Sequence, residues 1–105
     1  MAYTPKALFR GAATVTTTTV LYTVPASTIA VVTNIAVTNT AATAATFTLA
    51  MGASAGQIAL HTTTAIPANS TIYIDLKQPL IATNTITGGA SAVTVSFHIA
   101  GTEIA

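Results

Sequence analysis

The sequence predicts an all-β chain: a single antiparallel β-sandwich or jelly-roll-like domain of about eight strands, with an extended N-terminal arm. Three observations carry that prediction. Apolar and small polar residues alternate with a period of two through most of the chain, which puts successive side chains on opposite faces of a strand. Turn-forming clusters recur at short intervals, among them Pro25-Ala26-Ser27, Pro67-Ala68-Asn69-Ser70 and Gly88-Gly89. No stretch shows the 3.6-residue period of an amphipathic helix. Residues 1–13 read as the arm and residues 14–105 as the sandwich.

The arm is expected because Pro5 disfavours a helix at Thr4 and because Lys6, Leu8, Phe9 and Arg10 fall together near the chain end. Such an arm is either a frayed terminus or a strand exchanged with, or laid upon, a neighbouring subunit; the apolar pair Leu8-Phe9 favours the second, and these four residues are the candidates for that contact. Thr14 to Val24 reads as a β-branched strand with Val20, Tyr22 and Val24 on one face. Thr28 to Thr40 is the organising strand: Ile29, Val31, Thr33, Ile35 and Val37 make its inward face, and smaller residues make the other.

Asn39 to Ala44 is turn-like. Ala45 to Met51 then alternates again, with Phe47, Leu49 and Met51 inward. Gly52 to Gly56 reads as a loop. Gln57 to His61 is a short strand with Ile58 and Leu60 on one face, which Thr62 to Ile66 extends. Thr71 to Leu76 follows, with Ile72, Ile74 and Leu76 inward and Tyr73 and Asp75 outward, and Pro79 ends it or marks a sheet edge. Leu80 to Thr87 is a short strand and Gly88-Gly89 a tight turn. Ala92 to Ala100 is the last long strand, with Val93, Val95, Phe97 and Ile99 on the core face and Thr94, Ser96 and His98 opposite. An internal echo runs through the chain. Thr17-Thr18-Thr19, Pro25-Ala26-Ser27-Thr28-Ile29 and Thr38-Asn39-Thr40 return as Thr62-Thr63-Thr64, Pro67-Ala68-Asn69-Ser70-Thr71-Ile72 and Thr83-Asn84-Thr85.

Composition narrows the function. Charged residues are 5% of the 105, and the net charge is +1. A soluble globular chain carries about 25%. A surface so poor in Lys and Arg does not suit a nucleic acid, whose binding rests on several phosphate contacts. About four residues in ten are Thr or Ala, so the outward faces are small and almost uncharged. Charges normally protect edge strands and keep monomers apart, and here they are scarce. Assembly is the inference. With no cysteine, disulfides and thiolate metal sites are excluded, and synthesis inside a cell fits. The first residues lack a signal-peptide pattern, and no apolar run is long enough for a membrane helix, so no membrane partner is expected.

The residues able to do chemistry are few: His61, His98, Asp75 and Glu103. A metal site needs three or four converging ligands, and no local spacing such as His-x-His brings any two together. Ser96, His98 and Asp75 could be drawn as a triad, but no nucleophile elbow or oxyanion loop accompanies them. Gly88-Gly89 lacks the Lys-Ser/Thr pair of a phosphate loop. Asp75 and Lys77 read as a surface ion pair, and Tyr73 beside them as an interface anchor or an exposed cross-strand residue. No catalytic residue, metal or cofactor is expected. Ice binding would need a regular coil period, and a membrane β-barrel would need aromatic girdles. Carbohydrate binding usually exploits exposed aromatics, and the chain has three Tyr and three Phe.

The segments 21–27 (Leu-Tyr-Thr-Val-Pro-Ala-Ser), 31–40 (Val-Val-Thr-Asn-Ile-Ala-Val-Thr-Asn-Thr), 66–71 (Ile-Pro-Ala-Asn-Ser-Thr) and 97–104 (Phe-His-Ile-Ala-Gly-Thr-Glu-Ile) resemble small virion proteins of tailed bacteriophages. The resemblance spans most of the chain from about residue 7 and rests on turn and strand patterns. It implies a non-enzymatic, β-rich part of the particle, of head-decoration or minor-tail type, made in the bacterial host cytoplasm and located in the virion. The function expected is capsid decoration by a homo-oligomer, with a trimer as the first number to consider. Its partners would be copies of itself and the major capsid protein or another virion protein. A tail or fibre component is the alternative, and a host-surface carbohydrate-binding module the alternative of another class. Contact residues are expected at Lys6, Leu8, Phe9, Arg10 and Tyr73.

Overall fold

Eight antiparallel strands pack as two four-stranded sheets in a computed structural model that describes residues 3–53 and 58–105. The strands are β1 (Tyr3–Ala12), β2 (Thr19–Thr23), β3 (Ile29–Asn39), β4 (Ala45–Gly52), β5 (Ile58–Ile66), β6 (Ser70–Leu80), β7 (Thr85–Ala90) and β8 (Val95–Ile104). One sheet runs β1-β8-β3-β6 and the other β2-β7-β4-β5. Strand one pairs with eight, two with seven, three with six and four with five. The chain is thus a single long hairpin rolled over on itself, with β3–β8 and β4–β7 joining the turns of the roll. The all-β sandwich expected from the alternation is the fold observed.

The core lies between the sheets. Phe47, Leu49, Ile35, Ile66, Ile86, Phe97 and Ile99 are its largest fully buried side chains. Phe47 and Phe97 meet edge-on across it, ring centroids 6.2 Å apart, an arrangement that adds to their area burial. On β4 the alternation holds throughout, burying Ala45, Phe47, Leu49 and Met51. On β6, Ile72, Ile74 and Leu76 pack on the core, while Tyr73 and Asp75 face out. Pro79 sits near the end of β6, an edge strand, where its missing N–H breaks no ladder.

Bulges correct the strict alternation expected elsewhere. At Thr33 the register of β3 slips against both β6 and β8. An extra residue reverses which side chains point inward. Before the bulge the small even-numbered residues Ala30 and Val32 are buried, and Ile29 and Val31 lie outward; after it Ile35, Val37 and Asn39 are buried. The inward set expected on the odd positions therefore holds for only half of the strand. A bulge in β2 likewise separates Val20, which is exposed, from Tyr22, which packs on the core.

Other differences have local causes. Thr14 to Thr18 is not strand. The Thr14 and Thr19 hydroxyls both donate to the Thr16 carbonyl, at 2.9 and 3.0 Å, and satisfy the backbone in a turn. Gly88-Gly89 is not a turn but lies inside β7, buried. A Cβ on Gly89 would sit 2.3 Å from the Thr16 carbonyl oxygen and 2.7 Å from that of Thr14, and one on Gly88 2.5 Å from that of Thr48. Glycine is needed there because backbone crosses backbone. The last turn falls instead at residues 91–94, which leaves Val93 64% exposed. Ile58 and Leu60 of β5 are exposed rather than inward. Of the loop expected at Gly52 to Gly56, residues 54–56 lie outside the described residues, as does Gln57.

The two Pro-Ala-x turns of the internal echo share a conformation. Ser27 and Asn69 both adopt left-handed φ, 57° and 52°, and the next hydroxyl, of Thr28 or Ser70, donates back to the Ala26 or Ala68 carbonyl. They launch β3 and β6, neighbours in one sheet.

Candidate assembly surface

Residues 3–12, within the segment 1–13 read as an arm, form β1, an edge strand hydrogen-bonded to β8 of the same chain. A bulge between Ala7 and Phe9 turns Leu8 into the sandwich, where it is 7% exposed, and Phe9 packs against the core. Leu8 is thereby enclosed in the sandwich, whereas Phe9 is half-buried and also lines a hollow on the outer side. Lys6 shares its row with Gly101 and Val32, an inward-facing row, and its ammonium lies 3.4 Å from Glu103 Oε1. An inward-pointing Lys on an edge strand is a device against edge-to-edge pairing.

Glu103 also points inward, in the row of Ala30 and Leu80. Its second carboxylate oxygen accepts the hydroxyl of Tyr22 on β2, so a polar group of each sheet meets at the β1/β2 side of the sandwich. Burial, and then the hydrogen bond and charge of Glu103, push the Tyr22 phenol far above its ordinary value. This contact could not be read from the sequence, because Tyr22 and Glu103 are 81 residues apart. The sole signal was that both are rare residue types in this chain.

On the opposite, β5/β6 side no Tyr–carboxylate contact of this kind is found among the described residues. A groove of about 310 Å³ opens there between Met51, Ile58, Leu60, Gln78, Pro79 and Leu80. On the outer face of the β1-β8-β3-β6 sheet the register sets Arg10, His98, Ala36 and Tyr73 in one row and Ala7, Ala100, Asn34 and Asp75 in the next. Arg10 and Tyr73, two of the expected contact residues, thus stand at opposite edges of one exposed row, Tyr73 71% exposed. Asp75 accepts a hydrogen bond from Asn34 Nδ2 at 2.9 Å instead of pairing with Lys77; among the described residues the one ion pair is Lys6–Glu103. Toward one end of this face Tyr3, Ile29 and Ile81 are exposed as well.

The sandwich keeps the sparse chemical groups apart. His61 lies on β5 against the Phe47 ring, centroids 5.3 Å apart, its Nδ1 3.2 Å from the Thr64 hydroxyl, whereas His98 lies on the outer face of the other sheet. Asp75 stands two strands from Ser96 and His98, and its carboxylate is engaged by Asn34. Among the described residues no three of His, Cys, Asp or Glu come together in a metal-binding group.

The fold defines an eight-stranded, two-sheet β-sandwich protein whose outward features are broad, weakly charged sheet faces. No protein-family model matches the chain, and no curated protein matches it. Among solved structures it is similar to a pentameric capsid protein isolated from metagenomic phage sequences, with a TM-score of 0.40 and 15% identity, over 98% of this chain and 66% of that one. Similarity of that degree says nothing of activity or partners.

Proposed function

We propose that the chain is a non-enzymatic structural protein of a bacteriophage virion, a decoration or cementing protein that binds the assembled shell as a homo-oligomer. The observation that carries this reading is the exterior. Among the described residues it presents large exposed apolar side chains, Tyr3, Ile29, Tyr73 and Ile81 among them, on a background of Thr and Ala. Surfaces of that kind are covered by other protein. The strand pairing, one with eight through four with five, is compatible with a jelly roll, an architecture found among viral capsid and lectin domains. It supports the reading without deciding it, since folds host many functions. The resemblance of residues 21–27, 31–40, 66–71 and 97–104 to small tailed-phage virion proteins supports a virion as the particle. The mechanism is mass action: a subunit that binds the assembled shell and not its dissociated parts stabilises assembly.

The test is to add the purified chain to phage shells free of it and to image them by electron cryomicroscopy while following their thermal disruption. Symmetric extra density on the head with a raised disruption temperature is the expected result. Density on the tail, or none on the particle, overturns the reading.

A further inference from the structure

The outer face of the β1-β8-β3-β6 sheet is complementary to itself. In its two middle rows the central residues are one large and one small, and the order reverses between rows: His98 beside Ala36, then Ala100 beside Asn34. A hollow of about 140 Å³ lies over this part of the face, lined by Ala7, Arg10, Asn34, His98 and Ala100 among others. Consider a second copy laid face to face and turned about a twofold axis along the strands, between β8 and β3. The operation exchanges β1 with β6 and β8 with β3. Each His98 then lies over the other copy's Ala36, and each Asn34 over the other's Ala100, projection into gap. Asp75 comes over Ala7, and Arg10 over the exposed ring of Tyr73, where a guanidinium is favoured. Arg10 is also offset by only one row, about 7 Å along the strand, from Asp75 of the other copy across the gap between the sheets, within reach of so long a side chain.

We propose that this face is a twofold self-association surface, each copy covering the other. Charge selects this axis over its alternative. A dyad across the strands would lay β1 on β1 and β6 on β6, like charge toward like, whereas the axis along them brings Arg10 to the Asp75 edge. Lys77 meets no basic residue of β1, because Lys6 points inward to Glu103. The size is adequate. Four strands about 4.8 Å apart and about ten residues long cover roughly 600 Å² per copy, or roughly 1,200 Å² in total, the lower bound of specific stable interfaces. This surface rests on the assembly reading above and supplies the contact through which copies meet.

The full chain is examined by sedimentation equilibrium beside Ala100→Arg, Arg10→Asp, Asp75→Arg and the double reversal R10D/D75R, with Thr18→Arg as the control away from this face. All four substituted positions are exposed, and circular dichroism checks that each of the five variants folds. Twofold association is expected for the native chain and for Thr18→Arg. It should weaken about 10-fold in each single reversal, recover in the double reversal, and weaken by about 100-fold or more in Ala100→Arg. A native chain that stays monomeric, or an Ala100→Arg chain that associates as the native one does, overturns the proposal. The decoration reading fails separately: a chain that dimerises as described but adds no density to any particle overturns that reading and leaves this surface in place.

Discussion

Tyr22 on β2 donates its hydroxyl proton to the carboxylate of Glu103 on β8, so one hydrogen bond ties the two sheets together at the β1/β2 side of the sandwich. Lys6 completes the cluster from β1. Exposed ion pairs contribute little, so the phenol is the consequential partner.

Base should therefore loosen this side of the sandwich. The folded state holds the Tyr22 proton more tightly than the unfolded chain, whose phenol ionises near pH 10. The stability that follows from the raised value is fully present below about pH 10 and is lost as pH rises beyond it, because the unfolded state gives up its proton first. Urea midpoints measured from pH 8 to 11.5 should fall above pH 10 for the native chain. Tyr22→Phe should start lower at pH 7, by about 1.5–3 kcal/mol for a lost hydrogen bond to a charged group, and show a shallower decline in base. Parallel declines for the two proteins would contradict the linkage.

Two glycines should tolerate nothing larger. A Cβ on Gly89 would meet the Thr16 carbonyl oxygen at 2.3 Å, and one on Gly101 the Val31 carbonyl oxygen at 2.3 Å. Both obstacles are backbone, which cannot swing aside as a side-chain tip can. Gly89→Ala and Gly101→Ala should each cost about 3 kcal/mol or more in urea denaturation, the upper end for overpacking. Gly11→Ala, whose new methyl would meet only the Phe9 ring at 3.3 Å, should cost far less.

Phe47 and Val93 separate the core that is real from the core that alternation alone suggests. Phe47 is 1% exposed and touches both the Phe97 and the His61 rings, so Phe47→Ala should cost about 3–5 kcal/mol. Val93 continues the alternating pattern of β8 on paper but sits in the turn before it, and Val93→Thr should shift stability by less than about 0.5 kcal/mol. Thermal melts of the two variants check both values.

That contrast shows what was legible in the sequence. The period of two in Ala45 to Met51 and Thr71 to Leu76 survives folding, because those stretches carry their inward residues without interruption. Thr33 and Leu8 mark where the pattern fails. A bulge adds one residue to one strand, so it leaves no local trace in composition while reversing every side chain beyond it. Gly88-Gly89 reads as a turn from propensity, yet it is a strand kept as glycine by the Thr14 and Thr16 carbonyls against Gly89 and the Thr48 carbonyl against Gly88, neighbours that only the tertiary structure reveals. At the candidate surface, the alternation of 71–76 turns Tyr73 outward, whereas Arg10 reads from sequence as part of an arm and not as a member of a sheet face. Their shared row with His98 and Ala36 depends on the pairing of four strands from distant parts of the chain.

Asn39 offers the sharpest test of how the loops are held. It ends β3 fully buried, a polar side chain among apolar ones. Its Nδ2 donates to the Thr43 carbonyl at 2.9 Å, while its Oδ1 accepts the Ala41 N–H at 3.1 Å and the Thr94 hydroxyl at 3.3 Å. One amide thus joins the β3–β4 turn to the lead-in of β8. Asn39→Ala removes these bonds and leaves a cavity where the buried amide stood. The Thr43 and Thr94 groups, on exposed residues, can turn to water, so the loss is that of the bonds themselves at about 0.5–1.5 kcal/mol each. Asn39→Asp keeps the shape and both acceptor contacts but exchanges the donor for an oxygen facing the Thr43 carbonyl, and it buries a charge unless the carboxyl takes up a proton. Both variants should therefore lose at least about 2 kcal/mol at pH 7, and Asn39→Asp should regain part of its loss near pH 4 as the carboxylate is neutralised, whereas Asn39→Ala should not. Urea denaturation at the two pH values reads the difference. Equal responses of the two variants to acid would mean that the side chain of residue 39 reaches water and does not hold these turns together.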